Sequence, residues 1–255
     1  MSPNKRVLIT GAGGLIGRVL RRALAPHYEL RLLSRSPLDV PGHVADIADL
    51  QAIQPAFEGV QSVVHLAASS STRSEWDDVL PANIVGTYNV YEAARRAGVQ
   101  QVVFASSSHV VGMHERESAP EIYDTADERV LDEGIALRPD SLYGVAKGFG
   151  ELLARYYSEH HGLKAICLRI GMVVDDEPLR PAPADAGERE RQGWLRTRAV
   201  WLSQRDCGQL FARALEADEL AFTVVYGTSD NPRQMWDLDG ARRLLGYRPL
   251  DRAPQ

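Results

Sequence analysis

The sequence predicts a doubly wound α/β fold, a parallel β-sheet with helices on both faces, and three observations carry that prediction. Short, continuous apolar runs recur along the chain, as in "RVLIT", "SVVHLAA" and "AICLRIG". Segments with helical spacing of apolar residues separate them. A glycine-rich turn joins the first run to the first helix. Unbroken apolar strands of this kind are covered on both faces, and right-handed crossovers place the helices there.

Taken in order, "RVLIT" is the first strand, followed by a helix to about Ala25 and a second strand "LRLLS". "SVVHLAA" is the third strand. A helix near Ile84 to Ala97 leads to a fourth, "VVFASS", then a helix opens at Tyr143 and "AICLRIG" follows. After Gly171 the rhythm breaks in "VVDDEPLRPAPADAGERERQG", whose Pro, Asp, Glu and Arg predict a mobile insertion over residues 175–193. "WLSQRDCGQLFARALEA" restores a helix, with Ser203 and Asp206 as a capping box. A strand "AFTVVYG" and a short helix before "GYRPLD" complete the chain. Residues 1–171 form a core and 172–255 a small C-terminal substrate-binding appendage, the two integrated as one compact unit.

The 255 residues are 44% hydrophobic, enough to bury a sizeable core. A net charge of −5 without a Lys/Arg cluster argues against a nucleic-acid or anionic-membrane partner. The apolar run near the N-terminus is short and soon ended by glycines, which reads as a buried strand rather than a signal peptide. No stretch reaches transmembrane length. Cys167 and Cys207 give neither a disulfide framework nor a zinc pattern, so a metal-free, reduced, cytoplasmic protein is expected.

"ITGAGGLIGRVL" places Gly11, Gly14 and Gly17 between a strand and a helix that opens at Leu15 and Ile16. Glycines at that spacing permit a tight turn, close approach of backbone to a pyrophosphate and close helix–strand packing. The helix N-terminus adds N–H donors and the positive dipole end. The expected ligand is a dinucleotide on a Rossmann fold. The second strand ends in Ser34 and Arg35, where an acid would hold a free ribose 2′-hydroxyl. Arg35 suits a 2′-phosphate, which leans the reading toward NADP, whereas Asp39 as the ribose ligand would favour NAD. Asp46 and Ile47 stand where an adenine is gripped by a carboxylate and an apolar contact, and Asp46 also reads as a helix cap. Asn83 begins a helix, as a cap or as part of a proton relay beside the cofactor.

In "SLYGVAKGFGE", Tyr143 and Lys147 lie at i and i+4 on one helix face. An ammonium about 4 Å from a phenol, at an effective dielectric of about 20, contributes roughly 4 kcal/mol and draws the phenol toward neutrality. Such a phenol exchanges a proton with a substrate alcohol while hydride leaves for a nicotinamide. Ser107, at the C-terminal end of the fourth predicted strand, is the hydroxyl expected to orient the substrate oxygen. Ser106 reads as a strand-end group that satisfies backbone.

The set "TGAGGLIG", "HLAA", "NIVGTYNV", "FASSSHVVG" and "YGVAK" resembles the extended short-chain dehydrogenase/reductase superfamily, that of the NAD-dependent epimerases and dehydratases. The resemblance implies catalysis by Ser107, Tyr143 and Lys147, with Lys147 also on the nicotinamide ribose. It adds Leu66, Ala67, Ala68 and Ile170 to the cofactor contacts, and homo-oligomers paired through the helices near residues 84–97 and 143–157. "LRPDSLYGVAKGFGELLARYYSEHHGLKAICLRIG" and "LRTRAVWLSQRDCGQLFARAL" resemble, more narrowly, the uronate dehydrogenases. These oxidise C1 of galacturonate or glucuronate to a lactone with NAD. By that resemblance Ser70, Ser107, Ser108, His109, Tyr143 and Arg196 line a sugar-acid pocket, with Arg196 clamping the carboxylate, a role that suits a planar guanidinium. The chain departs from the pattern at Ser108, where the family usually has Asn, and at Ser34. Two other readings stand beside it: a nucleotide-sugar epimerase or reductase of the same superfamily, and a regulatory protein that binds NADP without turnover.

Overall fold

The computed structural model describes residues 5–254 except 182 and 184. The first four residues, and those two positions of the expected insertion, lie outside the described residues. The elements are β1 (Arg6–Thr10), α1 (Leu15–Leu24), β2 (Glu29–Ser34), β3 (His43–Val44), α2 (Leu50–Ile53), β4 (Ser62–His65), α3 (Trp76–Val79) and α4 (Gly86–Arg96). They continue with β5 (Gln101–Ser107), α5 (Gly112–Glu117), α6 (Leu142–His161), β6 (Lys164–Ile170), α7 (Glu188–Val200), α8 (Gln204–Glu216), β7 (Phe222–Gly227) and α9 (Asp239–Leu245). A π-helical turn, Leu80–Val85, runs straight into α4.

Seven parallel strands form one sheet in the order β3-β2-β1-β4-β5-β6-β7. The chain winds outward from β1 to β3, then crosses back to β4 on the other side of β1, so a crevice opens between the C-terminal ends of β1 and β4. Open parallel sheets bind ligands at such a reversal. Alternate residues of β1 feed two cores. Val7 and Ile9 pack with Leu20, Leu168, Leu210 and Phe211 against α1 and α8, while Leu8 packs with Phe57, Tyr91, Phe104 and Tyr157 against α4 and α6. All are essentially buried, and each large side chain contributes about 1.5–3 kcal/mol of burial. A third cluster, with Val110, Ile122, Tyr226 and Trp236, joins the segment after β5 to the region past residue 172. That region also adds β7 to the sheet.

Three details differ from the sequence reading. "VVFASS" is the fifth strand rather than the fourth, because two-residue β3 pairs with the end of β2 through Leu33–His43 and Ser34–Val44. Helix α7 starts at Glu188, inside the segment read as a loop; Leu195, Ala199 and Val200 anchor it in the third cluster. The capping box at Ser203 is half formed. Ser203 Oγ accepts from the Asp206 N–H at 3.0 Å, but the buried Asp206 carboxylate turns away to accept from Ser229 Oγ (2.6 Å) and the backbone N–H groups of Leu250 (2.7 Å) and Asp251 (3.0 Å). The acid thereby ties the C-terminal segment to α8.

Candidate active site

A cavity of about 1130 Å³ opens over the C-terminal ends of β1, β4, β5 and β6. Its cradle is the turn from β1 to α1. Gly11 has φ +70°, and a Cβ there would stand 2.7 Å from the Ala67 nitrogen; one at Gly17 would stand 2.5 Å from the Gly11 oxygen. Only glycine permits this fit between turn, helix and the loop after β4. Gly14 caps α1 without a side-chain acceptor, and the first turn holds no acid, so the helix begins with free N–H donors and an uncompensated dipole beside the cavity. Leu15 and Ile16 begin that helix on the cavity wall. These residues fit a dinucleotide pyrophosphate.

The loop "LAAS" is fixed from below by residues the sequence reading passed over. Thr10 Oγ1 accepts from the Leu66 and Ala67 N–H groups at 3.2 Å each and bonds His65 Nδ1 at 2.8 Å, and His65 Nε2 meets Thr87 Oγ1 at 3.3 Å. Burial, followed by the Lys147 charge, pushes His65 down to about 3, so it remains a neutral spacer. The only sequence signal for this set was a polar residue at the end of each of two apolar strands. Leu66, Ala67 and Ala68 then line the cavity, as does Ile170 at the end of β6.

At the adenosine end, Ser34, Arg35, Asp46 and Ile47 all border the cavity. Arg35 is exposed, while Asp39 is engaged by Arg21 at 2.7 Å. Asp46 Oδ1 accepts from the Ala48 N–H at 2.9 Å, closing a local turn at the rim over buried Ile47. Asn83 does not border this cavity. Its amide accepts from the Ser69 N–H (2.7 Å) and donates to the Ser69 carbonyl (2.9 Å). Asn83 therefore holds the loop that presents Ser70 on the cavity rim, one step behind the lining where the sequence reading had placed it.

The end of the cavity that holds Ser107, Tyr143 and Lys147 is built by α6 packing tightly on the segment after β5. A Cβ at Gly144 would lie 2.3 Å from the His109 oxygen, and one at Gly150 2.3 Å from Phe104 Cζ. Ser141 caps the helix by accepting from the Gly144 N–H at 3.1 Å. This approach brings Tyr143 to the same wall as Ser107 and Lys147. Ser107 is buried and its Oγ accepts from the His109 N–H at 3.2 Å. Partial burial pushes the Tyr143 phenol above its ordinary value, with the Ser107 hydroxyl lowering it in part. Lys147 Nζ donates to the Ala105 carbonyl at 2.7 Å and lies 5.6 Å from the centre of the Tyr143 ring. Burial draws this ammonium down to about 8. The expected outcome, a phenol drawn toward neutrality by the lysine, is thus reversed: the ammonium is turned to a carbonyl, and desolvation wins at the ring.

Ser108 is buried on the cavity wall beside His109. His109 packs edge-on against Tyr143 with ring centres 5.9 Å apart, and its Nδ1 bonds Asp140 Oδ2 at 2.8 Å. Burial raises the Asp140 carboxyl, but His109, Ser141 and Arg196 together bring it below the ordinary value. Asp140 was not singled out in the sequence, although it stands three residues before Tyr143. Beneath this wall Glu151 and Arg169 form a buried bidentate pair, 2.9 Å at each bond. Ser106 Oγ donates to Glu151 at 2.6 Å and Arg169 Nη1 donates to Tyr226 at 3.0 Å, so Ser106 bonds a carboxylate rather than a strand-end backbone group.

Arg196, on α7, reaches the cavity, but its guanidinium is already held. Nε donates to Glu115 Oε1 at 2.6 Å and Nη2 to Oε2 at 3.3 Å, and the Tyr123 hydroxyl donates to the same carboxylate at 2.7 Å. The guanidinium that the resemblance assigns to a substrate carboxylate is thus paired with Glu115 in this structure. Glu115 gave no sequence signal, because α5 is too short to show a helical pattern.

The family model for the NAD dependent epimerase/dehydratase family matches residues 7–181. The chain belongs to the NAD dependent epimerase/dehydratase family. An NAD-dependent glucose-6-phosphate dehydrogenase of Haloferax volcanii is 39% identical over 98% of this chain and 94% of its own. An L-arabinose 1-dehydrogenase (NAD(P)(+)) of the same organism is 39% identical over 96% of each chain. The crystal structure of a uronate dehydrogenase variant from Agrobacterium tumefaciens complexed with NAD superposes with a TM-score of 0.80 at 35% identity, covering 98% of this chain and 86% of that one. The family description and the NAD-bound neighbour support NAD as the cofactor, against the lean toward NADP taken from Ser34 and Arg35. Among the described residues, no helix is long and apolar enough to cross a membrane.

Proposed function

We propose that the chain is an NAD-dependent dehydrogenase that oxidises the C1 hydroxyl of a sugar to a lactone. The observation that carries this reading is the meeting of Ser107, Tyr143 and Lys147 on one wall of the cavity whose far end is the Gly11–Gly17 cradle. Bound NAD supplies the hydride acceptor. The chain's own groups handle the rest of the balance: Ser107 orients the C1 oxygen, the Tyr143 phenolate takes its proton and becomes the neutral phenol, and Lys147 places a positive charge near that phenolate before the transfer. The carbinol C–H and O–H bonds break and a C=O bond forms. His109, held by Asp140, walls the substrate side of the Tyr143 ring.

The hexuronates implied by the sequence resemblance share a C1 hemiacetal with the sugars in the relatives' names, glucose-6-phosphate and L-arabinose. Absorbance of the reduced nicotinamide, followed with NAD and NADP against galacturonate, glucuronate, glucose-6-phosphate and L-arabinose, tests the proposal. Turnover of at least one sugar with NAD is the expected result. Silence across the whole set would remove it.

A further inference from the structure

We propose that Glu115 determines substrate charge: by occupying Arg196, it makes the distal end of the sugar site select an uncharged hydroxyl-bearing group over a carboxylate. This rests on the reading of the cavity as a sugar dehydrogenase site. A second cavity of about 500 Å³ adjoins the first, sharing Arg196 and His109 with it and adding Glu115, Asp140, Tyr123 and Arg116. It is the place where the substrate atoms remote from C1 extend.

Of the charges facing that space, Arg196 and His109 are paired with carboxylates, and Arg116 has no carboxylate partner among the described residues. Glu115 is 2% exposed and accepts from Arg196 Nε, Arg196 Nη2 and the Tyr123 hydroxyl. Asp140 is paired with His109. Arg116 is exposed and, among the described residues, reaches only the Asp140 carbonyl, at 3.5 Å. A substrate carboxylate at Arg196 would share that guanidinium with a buried acid, two like charges side by side in a poorly solvated site, while the exposed Arg116 lies toward solvent. A hydroxyl meets no such conflict. It donates to the lone pair that Glu115 has left and accepts from the Nη1 edge of Arg196, for which no hydrogen-bond partner is seen among the described residues.

Two matched pairs isolate the effect, since D-galactose and D-galacturonate, like D-glucose and D-glucuronate, differ only at C6. With NAD, the wild-type protein is expected to show the higher kcat/KM for the neutral member of each pair. Glu115→Gln keeps the shape, frees the guanidinium charge, and is expected to shift the acid-to-neutral ratio toward the acid by about tenfold or more, chiefly through a lower KM for the acid. A general loss of structure lowers both members alike and leaves that ratio in place. Wild-type preference for the acids overturns the proposal, and so does an unchanged ratio in Glu115→Gln. If the variant does not fold, the wild-type ratio alone decides. Turnover confined to L-arabinose, with the acids silent in the variant, also overturns it. No turnover of any sugar removes the dehydrogenase reading with it, whereas turnover with acid preference removes only the role of Glu115.

Discussion

Replacing Lys147 by methionine separates the stability of the site from its chemistry. The Lys147 side chain is 4% exposed, and its ammonium donates to the Ala105 carbonyl at 2.7 Å, its one hydrogen bond among the described residues. Burial lowers its pKa from 10.5 to about 8, which corresponds to about 3 kcal/mol spent on holding the charge in the folded state. The Phe104 ring, 4.8 Å from Nζ, returns about 1 kcal/mol, and the bond to Ala105 returns about 1 kcal/mol more. Methionine keeps most of the apolar stem and removes all three effects. Lys147→Met is therefore expected to be about 1 kcal/mol more stable than the wild type at pH 7, and inactive. The sign with pH follows from a folded value below the unfolded one: the wild type gains stability as pH rises from about 8 to 10.5 and loses it as pH falls through about 8. The variant lacks that gain. Urea unfolding followed by tryptophan fluorescence, at pH 7 and pH 10 without added nucleotide, measures both differences. A variant less stable than the wild type at pH 7, or one that gains as much by pH 10, would refute the reasoning.

Gly11→Ala forces a Cβ to 2.7 Å from the Ala67 nitrogen at a φ of +70°, so the loop after β4 must shift; NADH affinity, titrated by nucleotide fluorescence, should fall about tenfold or more. Glu151→Ala leaves Arg169 buried without its countercharge and should cost about 3–5 kcal/mol in urea unfolding, with Glu151→Gln costing less. Since burial raises the Tyr143 phenol and oxidation requires its basic form, kcat for sugar oxidation should climb from neutral to alkaline pH; a flat profile would contradict that role.

The parts of the molecule that sequence made legible are those whose physics is local. A five-residue apolar run followed by Gly11, Gly14 and Gly17 constrains strand, turn and helix together, and β1 and α1 stand where that pattern puts them. The i, i+4 spacing of Tyr143 and Lys147 likewise settles their shared face of α6. Glycines 144 and 150 were visible as small residues, but only the contacts with His109 and Phe104 show why they are small. What stayed hidden is long-range. Nothing near Glu115 announces Arg196, 81 positions away, and nothing near Thr10 announces its bond to His65, 55 positions away. The charge state of Lys147 escaped for the same reason: spacing fixes the distance to the Tyr143 ring, whereas burial, which sets the pKa, comes from the whole fold around it.

Tyr143→Phe, assayed by reduced-nicotinamide absorbance with NAD and the best substrate of the sugar panel, tests the central claim most directly. On the proposed role of Tyr143, removing its hydroxyl should lower kcat by about 100- to 10,000-fold while NADH binding changes only a few-fold. Near-normal turnover in Tyr143→Phe would contradict the account.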